Sequence, residues 1–138
     1  MMNKILLAYD GSEPASKAFE LALDLAVKYG AALYVLAVAR PPEFAEEVDA
    51  LAILENSRRH YHDVLRPLKA KVDAAGVEAH FEVASGHPAE QIIYHAERHG
   101  VDHIVMGHRG RTFFEGWLLG SVARQVMSHA ACAVTIVR

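Results

Sequence analysis

Five short apolar runs, separated by four longer stretches with helical spacing, constrain this chain more than any other feature. The first run, Ile5-Leu6-Leu7-Ala8-Tyr9, has no polar interruption and stops at Asp10-Gly11-Ser12. Such a run suits a strand buried on both faces, the setting of a parallel sheet. Ser12 then stands where an N-cap belongs, with Glu13 and Pro14 in the first turn. Ala15, Ala18, Phe19, Ala22, Leu25, Ala26 and Tyr29 recur on one helical face. Ser16, Lys17, Glu20, Asp24 and Lys28 take the other face, and Gly30 ends the helix.

The pattern then repeats. Ala31 to Ala39 is a second apolar run, and Pro41-Pro42 forces an extended loop. A charged helical stretch follows from about Ala45 to Ala75, closed by Gly76. Pro67 lies inside it and would clash with the carbonyl of Asp63, which predicts a kink or a break. Val77 to Val83 alternates strictly, so this strand has one wet face or an edge position. Ser85-Gly86-His87-Pro88 opens a short helix that runs to His99 and ends at Gly100. His103 to Met106 is the fourth strand and Ala133 to Val137 the fifth. Strand–helix alternation of this kind predicts an α/β fold, a parallel sheet with helices on both faces. With 138 residues the chain fits a single domain, residues 1–138. A domain of that length buries about 68–70% of the surface its unfolded chain exposes, enough for a full core.

Charge and composition exclude several function classes. The net charge is −3 with histidines neutral, and no basic run carries interleaved aromatics, so nucleic-acid binding is not expected. No apolar run approaches the roughly 20 residues of a spanning helix, so no membrane partner is expected. The first ten residues meet an acid after five apolar positions, without the long apolar region of a signal peptide. Cys132 is the single cysteine, which excludes an internal disulfide and fits a reducing compartment. A cytoplasmic location is expected by elimination.

One loop carries chemistry. Gly107-His108-Arg109-Gly110 is followed by nine residues and then Gly120-Ser121, with a fourth glycine at 116. It joins the fourth strand to a helical stretch that starts near Val122. Glycine costs more chain entropy on ordering than any other residue, so four of them suggest a backbone that must approach something closely. The free N–H groups at a helix start attract anions. Together these suggest a phosphate cradle, with Arg109 and Arg111 beside it. A long surface loop with turn glycines accounts for the same glycines equally well, and the better-known glycine patterns of nucleotide-binding loops are absent. Position favours the cradle: in open α/β sheets ligands bind outside the carboxyl ends of strands where the strand order reverses. The loop leaves strand four and Asp10 leaves strand one, so both line one crevice if those strands are neighbours. Asp10 could instead cap the first helix together with Ser12, and Ser121 could be an ordinary N-cap.

Other constellations are weaker. Of nine histidines, His95 and His99 lie four apart on a helix, with Glu97 between them and His103 beyond. The acid sits one place too late for a His-Glu-x-x-His site. Surface histidines on a polar helix face explain the pair, and no metal is expected there. His108, inside the loop, is a candidate for phosphate contact or pH sensing. No Gly-x-Ser-x-Gly occurs, and Cys132 begins a buried-looking strand without a basic neighbour, a structural thiol.

The quoted residues resemble the universal stress protein family over the whole chain. The resemblance rests on Leu7-Ala8-Tyr9-Asp10-Gly11-Ser12, on Gly86-x-Pro88-Ala89-x-x-Ile92, and on Asp102-x-Ile104-Val105-Met106-Gly107. The full Gly-x-x-Gly, nine residues, Gly-Ser pattern and the closing strand Cys132-x-Val134-x-Ile136-Val137-Arg138 complete it. In that family the glycine pattern separates members that bind ATP from those that do not. The resemblance implies a five-stranded sheet in the order 3-2-1-4-5. It implies ATP or another adenine nucleotide, with Mg²⁺, whose phosphates lie on the backbone of Gly107, Arg109, Gly110, Gly120, Ser121 and Val122. Asp10 would take ribose hydroxyls or a metal near the phosphates, and Ala8, Val38 and Met106 would line the adenine. Phe113, Phe114 and Trp117 make the inner loop bulkier than is common in the family, and Ala131 stands where proline is frequent.

The expected function is that of an ATP-binding stress-response regulator acting as a homodimer, with no or very slow turnover. The alternative is a slow ATPase or nucleotidyl-transfer enzyme using the same loop. Phosphoryl transfer needs a positioned base and a phosphate-facing cation. Only Arg109, Arg111 and His108 are at hand, because no lysine follows Lys71. The dimer contact is expected at the fifth strand, Ala133 to Val137. It is an edge in the implied order and has neither charge nor proline to protect it.

Overall fold

The strand–helix alternation leaves parallel pairing as the simple solution, since each helix carries the chain back to the same end of the sheet. The structure, a computed structural model, describes residues 2–42, 47–109 and 119–138. Its elements are β1 (Lys4–Ala8), α1 (Glu13–Tyr29), β2 (Ala32–Ala39), α2 (Glu47–Ala75), β3 (Ala79–Ser85), α3 (Pro88–His99), β4 (His103–Gly107), α4 (Ser121–His129) and β5 (Ala133–Val137). All strand pairs are parallel, in the order β3-β2-β1-β4-β5. β3 and β5 are therefore the edges, and the strictly alternating strand is one of them.

Two cores form, one on each face of the sheet. Ile5 and Leu7 of β1, with Leu33 and Val35 of β2, pack against Phe19 and the small residues of α1 and against Leu65, Leu68 and Val72 of α2. Leu6, Leu36, Ile104 and Met106 face the other way, onto Ile92 of α3 and Ala123 and Val126 of α4. This two-sided burial is why β1 and β4 read as unbroken apolar runs. Helix α1 is capped as its sequence requires: the Ser12 side chain accepts from Ala15 N at 3.2 Å, and Gly30 closes the helix at φ 65°. Tyr29 departs from the predicted apolar face. It is exposed, one position before the helix ends.

Pro67 neither breaks nor ends α2, which runs unbroken from Glu47 to Ala75. An interior proline costs about 3 kcal/mol. Leu65, Leu68 and Val72, all buried on the sheet, contribute about 1.5–3 kcal/mol each. Packing around the proline outweighs the lost hydrogen bond. The start of this helix near Ala45 lies outside the described residues. Two strands begin later than their apolar pattern: β2 at Ala32 rather than Ala31, and β3 at Ala79 rather than Val77.

Candidate functional site

Strand order reverses between β1 and β4. The chain winds from β1 outward to β2 and β3, then crosses back to β4 and β5. Leu7 lies opposite Val105 in the β1–β4 register. Ala8 and Met106 are therefore the next residues along, and Asp10, two residues past β1, and His108, one past β4, lie just beyond the strand ends. The switch point of strand order expected from the sequence lies at the carboxyl ends of β1 and β4.

Asp10 is half-buried, and its Oδ1 accepts from Ser12 N–H at 3.0 Å. It does not cap α1 itself; Ser12 does, and Asp10 fixes the turn that delivers Ser12. Ala8, Val38 and Met106 lie on one face of the sheet, that of α3 and α4, at the ends of β1, β2 and β4. Ala8 and Val38 are half-buried and Met106 is buried.

The glycines of the loop have different jobs. A Cβ at Gly107 would lie 2.8 Å from Pro14 Cβ, 3.0 Å from Pro14 C and 3.1 Å from Ala15 N. Gly107 is thus needed for the close approach of β4 to the first turn of α1. Gly120 closes the loop at its base: its N–H donates to His108 O at 2.7 Å, and a Cβ there would meet Arg109 Cα at 3.1 Å. The stem is anchored on β5, since His108 N–H donates to Val137 O at 2.8 Å. Nδ1 of His108 also lies 3.3 Å from that carbonyl, so the ring is turned toward the strand end. Gly110, Arg111, Phe113, Phe114, Gly116 and Trp117 lie outside the described residues.

The start of α4 differs from the sequence reading by one residue. Gly120 is the N-cap, with φ −65° and ψ 155°, and makes no side-chain cap bond. Ser121 is the first helical residue and is exposed. The first intrahelical bond runs from Arg124 N–H to Gly120 O. The amides of Ser121 and Val122 therefore precede the helical ladder, as anion-binding amides do. The amide of Gly120 is already engaged in closing the loop. No acidic residue stands in the first turn, so nothing there opposes an anion. Arg109, half-buried, follows His108 on the stem.

The chain, residues 1–138, matches the family model described as "Universal stress protein family". It belongs to the universal stress protein family. Among its relatives is Universal stress protein YxiE of Bacillus subtilis, 35% identical over 159 residues with both chains fully covered. Universal stress protein MJ0531 of Methanocaldococcus jannaschii is 33% identical over 141 residues, covering all of this chain and 83% of the relative. Of solved structures, universal stress protein UspA from Lactobacillus plantarum superposes with a TM-score of 0.92 at 26% identity, covering 99% of this chain and 98% of that one. The family, the five-stranded parallel sheet and the order 3-2-1-4-5 agree with the expectation from sequence.

Sequence reasoning missed one group of residues in this universal stress protein. His95 is buried, not on a polar surface face, and its Nε2 lies 3.4 Å from Glu82 Oε2 on β3. The signal was present, since His95 follows Ile92 by three and so shares its buried stripe. Cys132 is half-buried, and burial first, then the nearby Asp102 carboxylate, push its thiol pKa up. That fits the structural thiol read from sequence. Among the described residues no helix is long and apolar enough to cross a membrane.

Proposed function

We propose that this protein binds an adenine nucleotide, ATP with Mg²⁺, in the crevice between the ends of β1 and β4, as a homodimeric stress-response regulator in the cytoplasm. The observation that carries the reading is the closed loop base: Gly120 N–H on His108 O sets the first amides of α4 beside the crevice that Asp10 borders. The residues fit the ligand's three parts. Ala8, Val38 and Met106 offer an apolar wall for a base. Asp10 has a second carboxylate oxygen for ribose hydroxyls or a hydrated cation. The amides of Ser121 and Val122 suit phosphate oxygens. Bound Mg²⁺ would neutralise phosphate charge. Two more distant proteins of this fold support an adenine nucleotide. A universal stress protein was solved in complex with cAMP (TM-score 0.76, 23% identity), and one from Arabidopsis thaliana with AMP bound (TM-score 0.69, 22% identity).

Turnover is absent or very slow in this reading. No lysine follows Lys71 to meet a phosphate. The dimer forms through β5, an edge strand of Ala133-Val134-Thr135-Ile136-Val137 that is partly exposed along its length. Mass analysis of nucleotide copurifying with the protein, followed by incubation with magnesium, tests the reading. An adenine nucleotide that persists supports it. Brisk phosphate release would put the slow-ATPase or nucleotidyl-transfer alternative first.

A further inference from the structure

A second cluster of titratable side chains lies away from the crevice, between edge strand β3 and α3. The two-residue period of β3 puts His80 and Glu82 on one face. The four-residue spacing on α3 puts His95 and His99 on one stripe. The fold brings the two together. One ligand atom each from Glu82, His95 and His99 can be chosen so that all lie within 4.8 Å of one another. His95 is only 4% exposed, while Glu82 keeps half its side chain in solvent. The rings are ordered into a ladder. Tyr34 stacks on His80 at 4.8 Å and on His99 at 4.6 Å between centroids, and His99 stacks on His95 at 5.9 Å. A cleft of about 390 Å³ lined by these rings and Glu82 opens onto the cluster.

We propose that Glu82, His95 and His99 bind one divalent transition-metal ion per chain, with zinc the best match. Two imidazoles and one carboxylate form the three-ligand set that leaves a fourth tetrahedral position to water. Imidazole ligands select zinc, copper or nickel over magnesium and calcium, which prefer oxygen. Tetrahedral bonds of about 2.0–2.1 Å place ligand atoms about 3.3–3.5 Å apart. The widest separation must therefore shrink by about 1.3–1.5 Å. Glu82 Oε2 and His95 Nε2 are already 3.4 Å apart, so the movement brings the half-buried His99 ring and exposed Glu82 together. The competing explanation is a core histidine satisfied by Glu82. At 3.4 Å that contact is long for a charge-assisted hydrogen bond, which spans about 2.7–2.9 Å. A metal at the centre engages His95 more fully. Burial first, then the His95 and Arg98 charges, lower the His99 pKa. A metal-bound histidine must be neutral. The cleft supplies the access path.

The test uses the full chain without an added histidine tag, stripped with chelator and titrated with zinc chloride by calorimetry. The same titration is run on E82Q, H99Q and H129Q, with circular dichroism to verify folding. Glu82 and His99 are chosen because neither is a fully buried core residue. The proposal expects one zinc per wild-type chain. Affinity should fall by at least about tenfold in E82Q and in H99Q, since losing even an outer-shell partner costs about 10–100-fold. H129Q should bind as wild type, because His129 is exposed at the end of α4. Imidazole resonances of His95 and His99 should shift on zinc addition while that of His129 stays. Absence of binding to the wild type would overturn the proposal. So would equal affinity in wild type, E82Q and H99Q, which marks adventitious binding by other histidines.

Discussion

Replacing Gly107 by alanine tests the claim that this glycine serves packing between β4 and α1. The added Cβ would sit 2.8 Å from Pro14 Cβ, where carbon contacts normally lie at about 3.5–4.0 Å. Two further neighbours, Pro14 C at 3.0 Å and Ala15 N at 3.1 Å, are backbone atoms and cannot rotate aside. The first turn of α1 must shift away by about 0.7 Å or more. Overpacking of this kind costs about 1–3 kcal/mol. The backbone of Gly107 is not in the left-handed region, so alanine also gains about 0.4–1 kcal/mol by restricting the unfolded chain. The net loss is about 1–2 kcal/mol. At about 4 °C per kcal/mol for a chain of this size, the midpoint should fall by about 4–8 °C. Differential scanning calorimetry of both proteins, without nucleotide, measures it. A variant as stable as wild type or more stable would refute the reasoning, because it would mean that no close approach of the two backbones exists.

Thr135→Pro removes a donor from β5, and Ile136→Lys puts a charge on its inner face; each should shift sedimentation from dimer toward monomer, whereas fully dimeric, folded variants would place the interface elsewhere. The proline variant also loses the 2.6 Å contact between Thr135 Oγ1 and His103 Nε2, and the lysine variant loses the packing of Ile136 on the α3–α4 core, so circular dichroism must show both folded. Cys132 should react with iodoacetamide at pH 8 more slowly than a free cysteine, because its raised pKa leaves less thiolate. The raised pKa favours the folded state below the thiol's unfolded pKa, and that contribution is lost as pH rises through the folded pKa. Alkylation at the free-cysteine rate would contradict the burial of Cys132.

The strand pattern was legible because the centres of β1, β2 and β4 are apolar and buried, with polar residues only at the strand starts, Lys4 and His103. The strand order was not. Alternation requires a parallel sheet but fits several orders, and 3-2-1-4-5 came with the family resemblance. The break allowed for at Pro67 in α2 does not occur, because local chain chemistry carries no information on what Leu65, Leu68 and Val72 would bury. The cap of α4 fell one residue early because Gly120, without a side chain to bond, gives no capping signal, whereas Ser121 does. His95 was misread for a related reason. The helix period placed it on the buried stripe with Ile92, but its partner Glu82, 13 positions away on β3, could not be read from that period. Gly107 and Gly120 were rightly singled out as places of close approach, but what they approach is protein: the first turn of α1 and the stem of the loop.

The central claim, a nucleotide whose phosphates meet the start of α4, is tested most directly by Ser121→Pro. Proline is favoured at the first helical position, and Gly120 before it already has the extended geometry that proline demands. The helix should therefore form as before while one phosphate-facing amide disappears. A hydrogen bond to a charged group contributes about 1.5–3 kcal/mol, so ATP affinity should fall by about 10–150-fold. Titration calorimetry with MgATP on wild type and variant, with matched thermal melts, reads both quantities. Binding to the wild type, a loss of that size in the variant and an unchanged melt are expected. A wild type that does not bind ATP, or a variant that binds it equally well, would contradict the claim.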